Sequence, residues 1–218
     1  MKLAEGVIAQ WKQMQEQLRS RLVVCPFPGL PRWVAGADIA FSPDGATAVA
    51  AAVVYDRECG RIVESQSACV PLVYPYVPTY LSFREAPALL AAIGKLKTPW
   101  EVICFDGQGY AHPRRCGLAT HMGVTLDRPA IGVGKSRLIG TFAEPGLSAG
   151  EASALMDGAE QIGWVLRTRT GVKPIFVSLG HRMDLESAKR IVVACGGRYR
   201  IPEPTRQADI LTKHYRAG

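Results

Sequence analysis

Trp100-Glu-Val-Ile-Cys-Phe-Asp106-Gly-Gln-Gly-Tyr-Ala-His112-Pro-Arg-Arg115 is the stretch on which the fold turns. Val102 to Phe105 is an apolar run of strand length that stops on an acid followed by glycines. An unbroken apolar run is what a strand covered on both faces looks like, so it is predicted to take a parallel or central position in a sheet. Asp106 then stands where that strand leaves the core, an edge where ligands commonly bind. Gly107 and Gly109 let the backbone turn tightly and bring its N–H groups close to a ligand. His112, Arg114 and Arg115 follow. Acid, permissive loop and basic cluster together suggest a metal and a phosphate.

Upstream, Trp33 to Phe41, Ala46 to Tyr55 and Arg61 to Val73 read as strands. The turn sequences Ser42-Pro-Asp-Gly45 and Asp56-Arg-Glu-Cys-Gly60 join them into an antiparallel meander. The first of the three is expected to be central, beside the Asp106 strand. Before them, Leu3, Val7, Trp11, Met14, Leu18 and Leu22 recur at helical spacing, predicting an amphipathic helix over 2–24 that the prolines of 25–31 end. Residues 74–85 are too rich in proline and aromatics for a strand, and a helix is predicted from Ala86 to Leu96. Further helices are predicted over 115–126, over 184–195 with Asp184 as N-cap, and near 208–215. Strands are predicted from Pro129 towards Lys135 and from Lys173 to His181, whereas 141–173 gives only unplaced strands and loops. No linker or repeat divides the chain, so 1–218 is read as one domain with its core over about 31–211 and a basic tail. The class is α/β, a mixed sheet flanked by helices.

A net charge of +7 favours a polyanionic partner without specifying one. No apolar stretch is long enough to span a bilayer, and Glu5, Gln10, Lys12 and Gln13 interrupt any signal-peptide layout, so a cytoplasmic protein without a membrane partner is expected. The six cysteines are scattered with no C-x-x-C pair, which argues against a zinc ribbon or redox motif.

Several polar residues stand out. Asp38 lies among Val34, Ala35, Ala37, Ile39, Ala40 and Phe41, where a carboxylate is costly unless paired, hydrogen-bonded or on a metal; the alternative is a half-exposed strand end. If the Asp106 strand is its neighbour, the two acids either share a proton or hold a divalent cation, and hard oxygen ligands favour Mg²⁺ or Mn²⁺ over Zn²⁺. Ser82-Phe-Arg-Glu85 matches a capping box that would occupy Glu85, although Pro87 weakens that reading. Lys135, in Gly132-Val-Gly134-Lys135-Ser136, invites a P-loop reading that Pro129 rejects, since the motif needs glycine there. It could neutralise a phosphate or stay solvated. Tyr76, between Pro75 and Pro78, is a stiff aromatic that either packs on the core or wedges between bases.

Taken together, Val34-Ala-Gly-Ala-Asp38, Pro75-Tyr-Val-Pro78 through Leu81-Ser-Phe-Arg-Glu85, Asp106 to Arg115, Gly132 to Leu138, Ser178-Leu-Gly-His181 and Arg200-Ile-Pro-Glu-Pro-Thr-Arg206 resemble the motifs of the endonuclease V family, in its order and spacing from about Pro31 to Leu211. The resemblance implies a ribonuclease H-like fold and a Mg²⁺-dependent DNA repair endonuclease, with Mn²⁺ as substitute, acting at deoxyinosine. Such enzymes nick the second phosphodiester 3′ to the lesion and leave a 3′-hydroxyl and a 5′-phosphate. Carried over by motif, Asp38 and Asp106 hold the metal, Glu85 completes the acidic group and Lys135 with Ser136 meets phosphate. Tyr76 with Pro75 and Pro78 parts the strands, and Leu81, Gly107 and Leu118 form the base pocket. His112 and Arg114 join the DNA-binding set, Asp209 stands near the metal, and the state expected is a monomer. Two alternatives remain open: a basic module that binds altered bases without cutting, and a relative directed at inosine in RNA.

Overall fold

The computed structural model describes residues 3–216, and its strands join into one mixed sheet. The chain's opening meander is β1 (Trp33–Phe41), β2 (Thr47–Asp56) and β3 (Arg61–Pro71), antiparallel as the turn residues predict. The apolar run forms β4 (Val102–Asp106), which lies parallel to β1. β5 (Ala130–Gly134) extends the parallel block on its other side. A hairpin of β6 (Ala152–Asp157) and β7 (Glu160–Leu166), with β8 (Ile175–His181), completes the order β3-β2-β1-β4-β5-β8-β7-β6. The helices are α1 (Val7–Ser20), α2 (Leu81–Ile93), α3 (Leu118–Leu126), α4 (Leu185–Ala194) and α5 (Glu203–Arg216). Among the described residues, no helix is long and apolar enough to cross a membrane.

Strand alternation sorts the core into two layers. Ala35, Ala37, Ile103 and Phe105 point to one face, under Leu89 and Ala92 of α2 and Met122 of α3. Val34, Cys104, Ile131 and Val177 point to the other, under Ile191 and Val192 of α4. α5 covers β2 on that second face, where Ala208 meets Ala51 and Val53. Each Leu, Ile or Phe buried in this way contributes roughly 1.5–3 kcal/mol. Gly36 is what lets α5 lie so close to β1: a Cβ there would come within 2.2 Å of the Pro204 backbone.

Four sequence expectations need correction. α2 begins at Leu81, not Ala86, and runs through Pro87, so the helix rather than the preceding loop carries Glu85. Its N-cap is Tyr80 without any side-chain cap bond, which removes the capping-box reading. α3 begins at Leu118, because Arg115 adopts φ 54° and pairs with Asp157 and Glu160. α5 starts at Glu203, well before Ala208. Pro202 and Pro204 flank its first residue, and a proline at a helix start gives up an N–H that has no intrahelical acceptor. The first helix spans only part of 2–24; residue 2 lies outside the described residues, and the chain from Leu22 to Leu30 has no helix or strand. It is tied down by Val23 N–H donating to His181 Nδ1 and Phe27 N–H to Ser187 Oγ.

Candidate metal centre and adjoining cavity

Val34, Gly36 and Asp38 share one face of β1, and Val102, Cys104 and Asp106 share the same face of β4, since side chains alternate along a strand. Ala37 pairs with Phe105, so the next residues, Asp38 and Asp106, emerge side by side at the end of the parallel pair. Their face is the one α5 covers, and α5 adds Asp209. Carboxylate oxygens of Asp38, Asp106 and Asp209 all lie within 4.8 Å of one another. Thr212 Oγ1, one turn on, reaches Asp38 Oδ2 at 3.4 Å.

Two cations already face this cluster. Lys135, from the loop after β5, contacts Asp106 directly and Asp209 Oδ1 at 3.3 Å, and Lys213 pairs with Asp209 across one helical turn. Burial and mutual repulsion hold the Asp38 carboxyl well above the usual range, and burial also raises Asp106 despite the Lys135 ammonium. Asp209 is partly buried too, yet Lys213 and Lys135 outweigh that and lower it.

Glu85 approaches from the α2 side of the sheet. It is 5% exposed, and burial, reinforced by Asp38 and Asp106, pushes its carboxyl up to about 8. It lines a cavity of about 300 Å³ together with Asp106, Gly107, Leu81, Leu118 and Lys135. Asp38 and Asp209 instead line a second cleft with Ser42, Thr212 and Lys213, so the acids stand on the divide between two recesses.

Tyr76 and His112 also line the first cavity. Tyr76 is 60% exposed at its mouth, between Pro75 and Pro78, and does not pack on the core. His112 is buried, and burial with the nearby Arg114 charge lowers its pKa to about 4. Arg114 commits Nε to Gln15 and Nη2 to Thr79, and Ser136 offers its carbonyl to Gln108 Nε2. The glycines of the Asp106 loop have no free donors: Gly107 N–H bonds Val133 O at 3.1 Å and Gly109 N–H bonds Ser178 Oγ at 2.9 Å. A Cβ on Gly109 would come within 2.2 Å of Leu179 O, so that glycine serves close packing. Sequence reasoning passed over Gln15, Gln108 and Thr212; Gln108 and Thr212 sit in no pattern that distinguishes them from surface residues. Asp209 was found by motif only.

The donor set fits a hard divalent cation. Three carboxylates within one ion's reach, two of them disfavouring ionisation for want of positive charge, are what such a cation would balance. No histidine or cysteine belongs to the cluster.

Comparisons with known proteins agree with this architecture. A family model described as Endonuclease V matches residues 16–210. An "Endonuclease V" of Roseiflexus sp. (strain RS-1) is 45% identical over 209 residues, 96% of this chain and 93% of that protein. The crystal structure of Endonuclease V from Streptomyces avermitilis superposes with a TM-score of 0.91 at 41% identity, covering 98% of this chain and 93% of that one. A Ciona intestinalis Endonuclease V, in complex with a 23mer DNA containing an inosine followed by a ribo-adenosine, superposes with a TM-score of 0.85 at 30% identity over 99% of each chain.

Proposed function

The chain belongs to the endonuclease V family and is therefore a nuclease; from that premise we propose that it is a Mg²⁺-dependent repair endonuclease that nicks DNA at the second phosphodiester 3′ to deoxyinosine. The observation that carries the proposal is the meeting of Asp38, Asp106 and Asp209 beside a cavity walled by Glu85.

In this reading Asp38, Asp106 and Asp209 hold the ion, with Mn²⁺ able to replace Mg²⁺. A divalent cation there supplies Lewis-acid stabilisation of the charge that develops on the phosphate and on the leaving 3′ oxygen. Lys135 exchanges Asp106 for a non-bridging phosphate oxygen, adding a charge-assisted hydrogen bond where negative charge grows. Ser136, its neighbour, lies along the same strand path. Glu85 keeps a carboxyl proton at neutral pH until positive charge enters the site.

Selectivity comes from what deamination changes. Adenine presents an amino donor where hypoxanthine presents a carbonyl acceptor. Leu81 and Ser82, in the first turn of α2, line the cavity, and their N–H groups have no acceptor within the helix. They satisfy hypoxanthine and face adenine donor to donor, a mismatch that discriminates by roughly 10⁴-fold. Leu81, Gly107 and Leu118 enclose the flipped base, His112 closes the inner wall, and the weak inosine pair makes extrusion less costly. Tyr76, braced by Pro75 and Pro78, fills the space the base leaves. The protein acts as a cytoplasmic monomer in which the whole chain is one unit.

The test is a duplex carrying one deoxyinosine, incubated with protein and Mg²⁺. A 3′-hydroxyl and a 5′-phosphate at the second linkage, absent from the adenine control and from Asp106→Asn, is the expected result. Protection of the lesion without cutting would instead favour a binding module. The Ciona complex, with its ribo-adenosine after inosine, supports a second reading in which a ribose beside the lesion is accepted. Competition between matched DNA and RNA strands decides between them.

A further inference from the structure

The loop of residues 74–80 that carries Tyr76 has no strand or helix of its own, yet one of its residues is bound with unusual thoroughness. Thr79 has φ 66°, a left-handed backbone that a β-branched residue holds only where its surroundings over-determine it. Its carbonyl oxygen accepts from Gln15 Nε2 at 3.0 Å, from His112 Nε2 at 3.0 Å and from Arg114 Nη2 at 2.9 Å. Arg114 Nη2 also reaches Thr79 Oγ1 at 2.7 Å, and Arg114 Nε donates to Gln15 Oε1. Arg114 N–H donates to His112 Nδ1, which fixes the neutral imidazole with its proton on Nε2.

α1 supplies the anchor. Gln15 is fully buried in the middle of an amphipathic helix, at a position where an apolar side chain would be expected, and its amide also donates to Cys116 O at 3.2 Å. One turn earlier, Trp11 stacks on Phe83 with ring centroids 5.0 Å apart and meets Tyr74 edge-on at 4.9 Å. Arg114 lies over the Tyr80 ring at 4.2 Å. The helix therefore grips both roots of the loop, at Tyr74 and Tyr80, and leaves its apex exposed.

We infer that α1 positions the Tyr76 loop: Gln15 and Arg114, acting on Thr79, set where Tyr76 stands when a duplex is parted. Arg114 is then a positioning residue, because its Nε and Nη2 donors are committed to Gln15 and Thr79. The effect on cutting rests on the proposed role of Tyr76, whereas the positioning itself does not.

Two measurements test this. Amide hydrogen exchange reads positioning without any activity: Gln15→Met, which keeps volume and removes all three side-chain hydrogen bonds of Gln15, is expected to speed exchange across residues 76–80 while the sheet strands stay protected. Unchanged exchange there, or a loss spread over the sheet, overturns the inference. Cleavage reads the consequence. Gln15→Met, Arg114→Gln and Thr79→Gly are each expected to lower kcat/KM on an inosine duplex about tenfold, and on the same strand alone less than twofold. None should cost further in a Tyr76→Ala background, and the salt slope of Arg114→Gln should match wild type. Equal losses on both substrates, additivity with Tyr76→Ala, or a salt slope reduced by about one unit would overturn it. Thr79→Gly relieves the backbone strain and disturbs no core, so it serves where another variant fails to fold. A wild-type protein that leaves inosine uncut defeats the functional proposal instead, and the exchange experiment still decides the positioning.

Discussion

The acid cluster and the Tyr76 loop lie on the same cavity but are held by opposite means. Asp38 and Asp106 are fixed by backbone: two paired strands in register, one residue past Ala37 and Phe105, put both carboxylates on one face. Neither needs a side-chain partner to find its place. The loop at 74–80 has no ladder to sit in, and its geometry depends on side chains from α1 and from the segment after β4. In the proposed reading, the groups that hold an ion with little tolerance stand on rigid elements, while the group that meets a deformable duplex stands on an adjustable clamp.

The sharpest way to test that contrast is within the rigid half. Asp106→Asn keeps the size of the side chain and removes a charge that disfavours its own burial. Cleavage is expected to fall by at least about 10³-fold, as for removal of a group essential to the chemistry. Thermal stability without divalent ions should hold or rise. A variant that lost both activity and folding would show that the strand register needs the acid, contrary to this picture.

Gly36→Ala strikes the same half without touching a ligand. The added methyl would meet the Pro204 backbone at 2.2 Å, and backbone yields less readily than a side chain. α5 must shift, and with it Asp209. Overpacking of this kind costs about 1–3 kcal/mol, so a lowered Tm is expected, together with about tenfold weaker Mn²⁺ binding by calorimetry. Weaker folding with unchanged Mn²⁺ affinity would mean that Asp209 contributes little to the ion site.

The two halves also differed in how much of them the sequence disclosed. β1 and β4 were legible because a buried strand is an apolar run and each carries a single acid. The meander was legible from its glycine and aspartate turns. What escaped was set by contacts remote in sequence. α5 begins at Glu203 because Gly36 makes room for Pro204, which no local pattern announces. Glu85 sat in a plausible capping box until the helix was seen to start at Leu81. The hairpin within 141–173 did carry a signal that was not used: Gly158, at φ 62°, opens its two-residue turn between Asp157 and Glu160. Gln15 falls on the stripe of Trp11, Leu18 and Leu22, but a glutamine there looks like a break in the apolar face until its carbonyl partners are known.

Lys135→Ala probes the join between the rigid site and the substrate. Lys135 is half-exposed and bonded to Asp106 and Asp209, and it can exchange those partners for phosphate. Turnover is expected to fall about tenfold, with the slope of log binding constant against log salt reduced by about one unit. A normal slope with reduced turnover would confine Lys135 to ordering the acids.

The smallest effect is the most informative about charge. Glu85 holds its proton up to about pH 8 in the folded protein, against an ordinary value of 4.5, because it is buried beside Asp38 and Asp106. A carboxyl raised on folding contributes its full stability below the unfolded value and loses it as pH climbs from about 4.5 through 8. Glu85→Gln removes the ionisation and its cost. In chelator, the variant and wild type should melt together at pH 4, and the variant should melt higher at pH 8.5, by about 2–4 °C for each kcal/mol recovered. Saturating Mg²⁺ should narrow the gap, since a cation among the acids favours the charged form. Coincident melting at pH 8.5 without Mg²⁺ would mean that water or Lys135 already compensates Glu85, and that the cavity is less shielded than its 5% exposure implies.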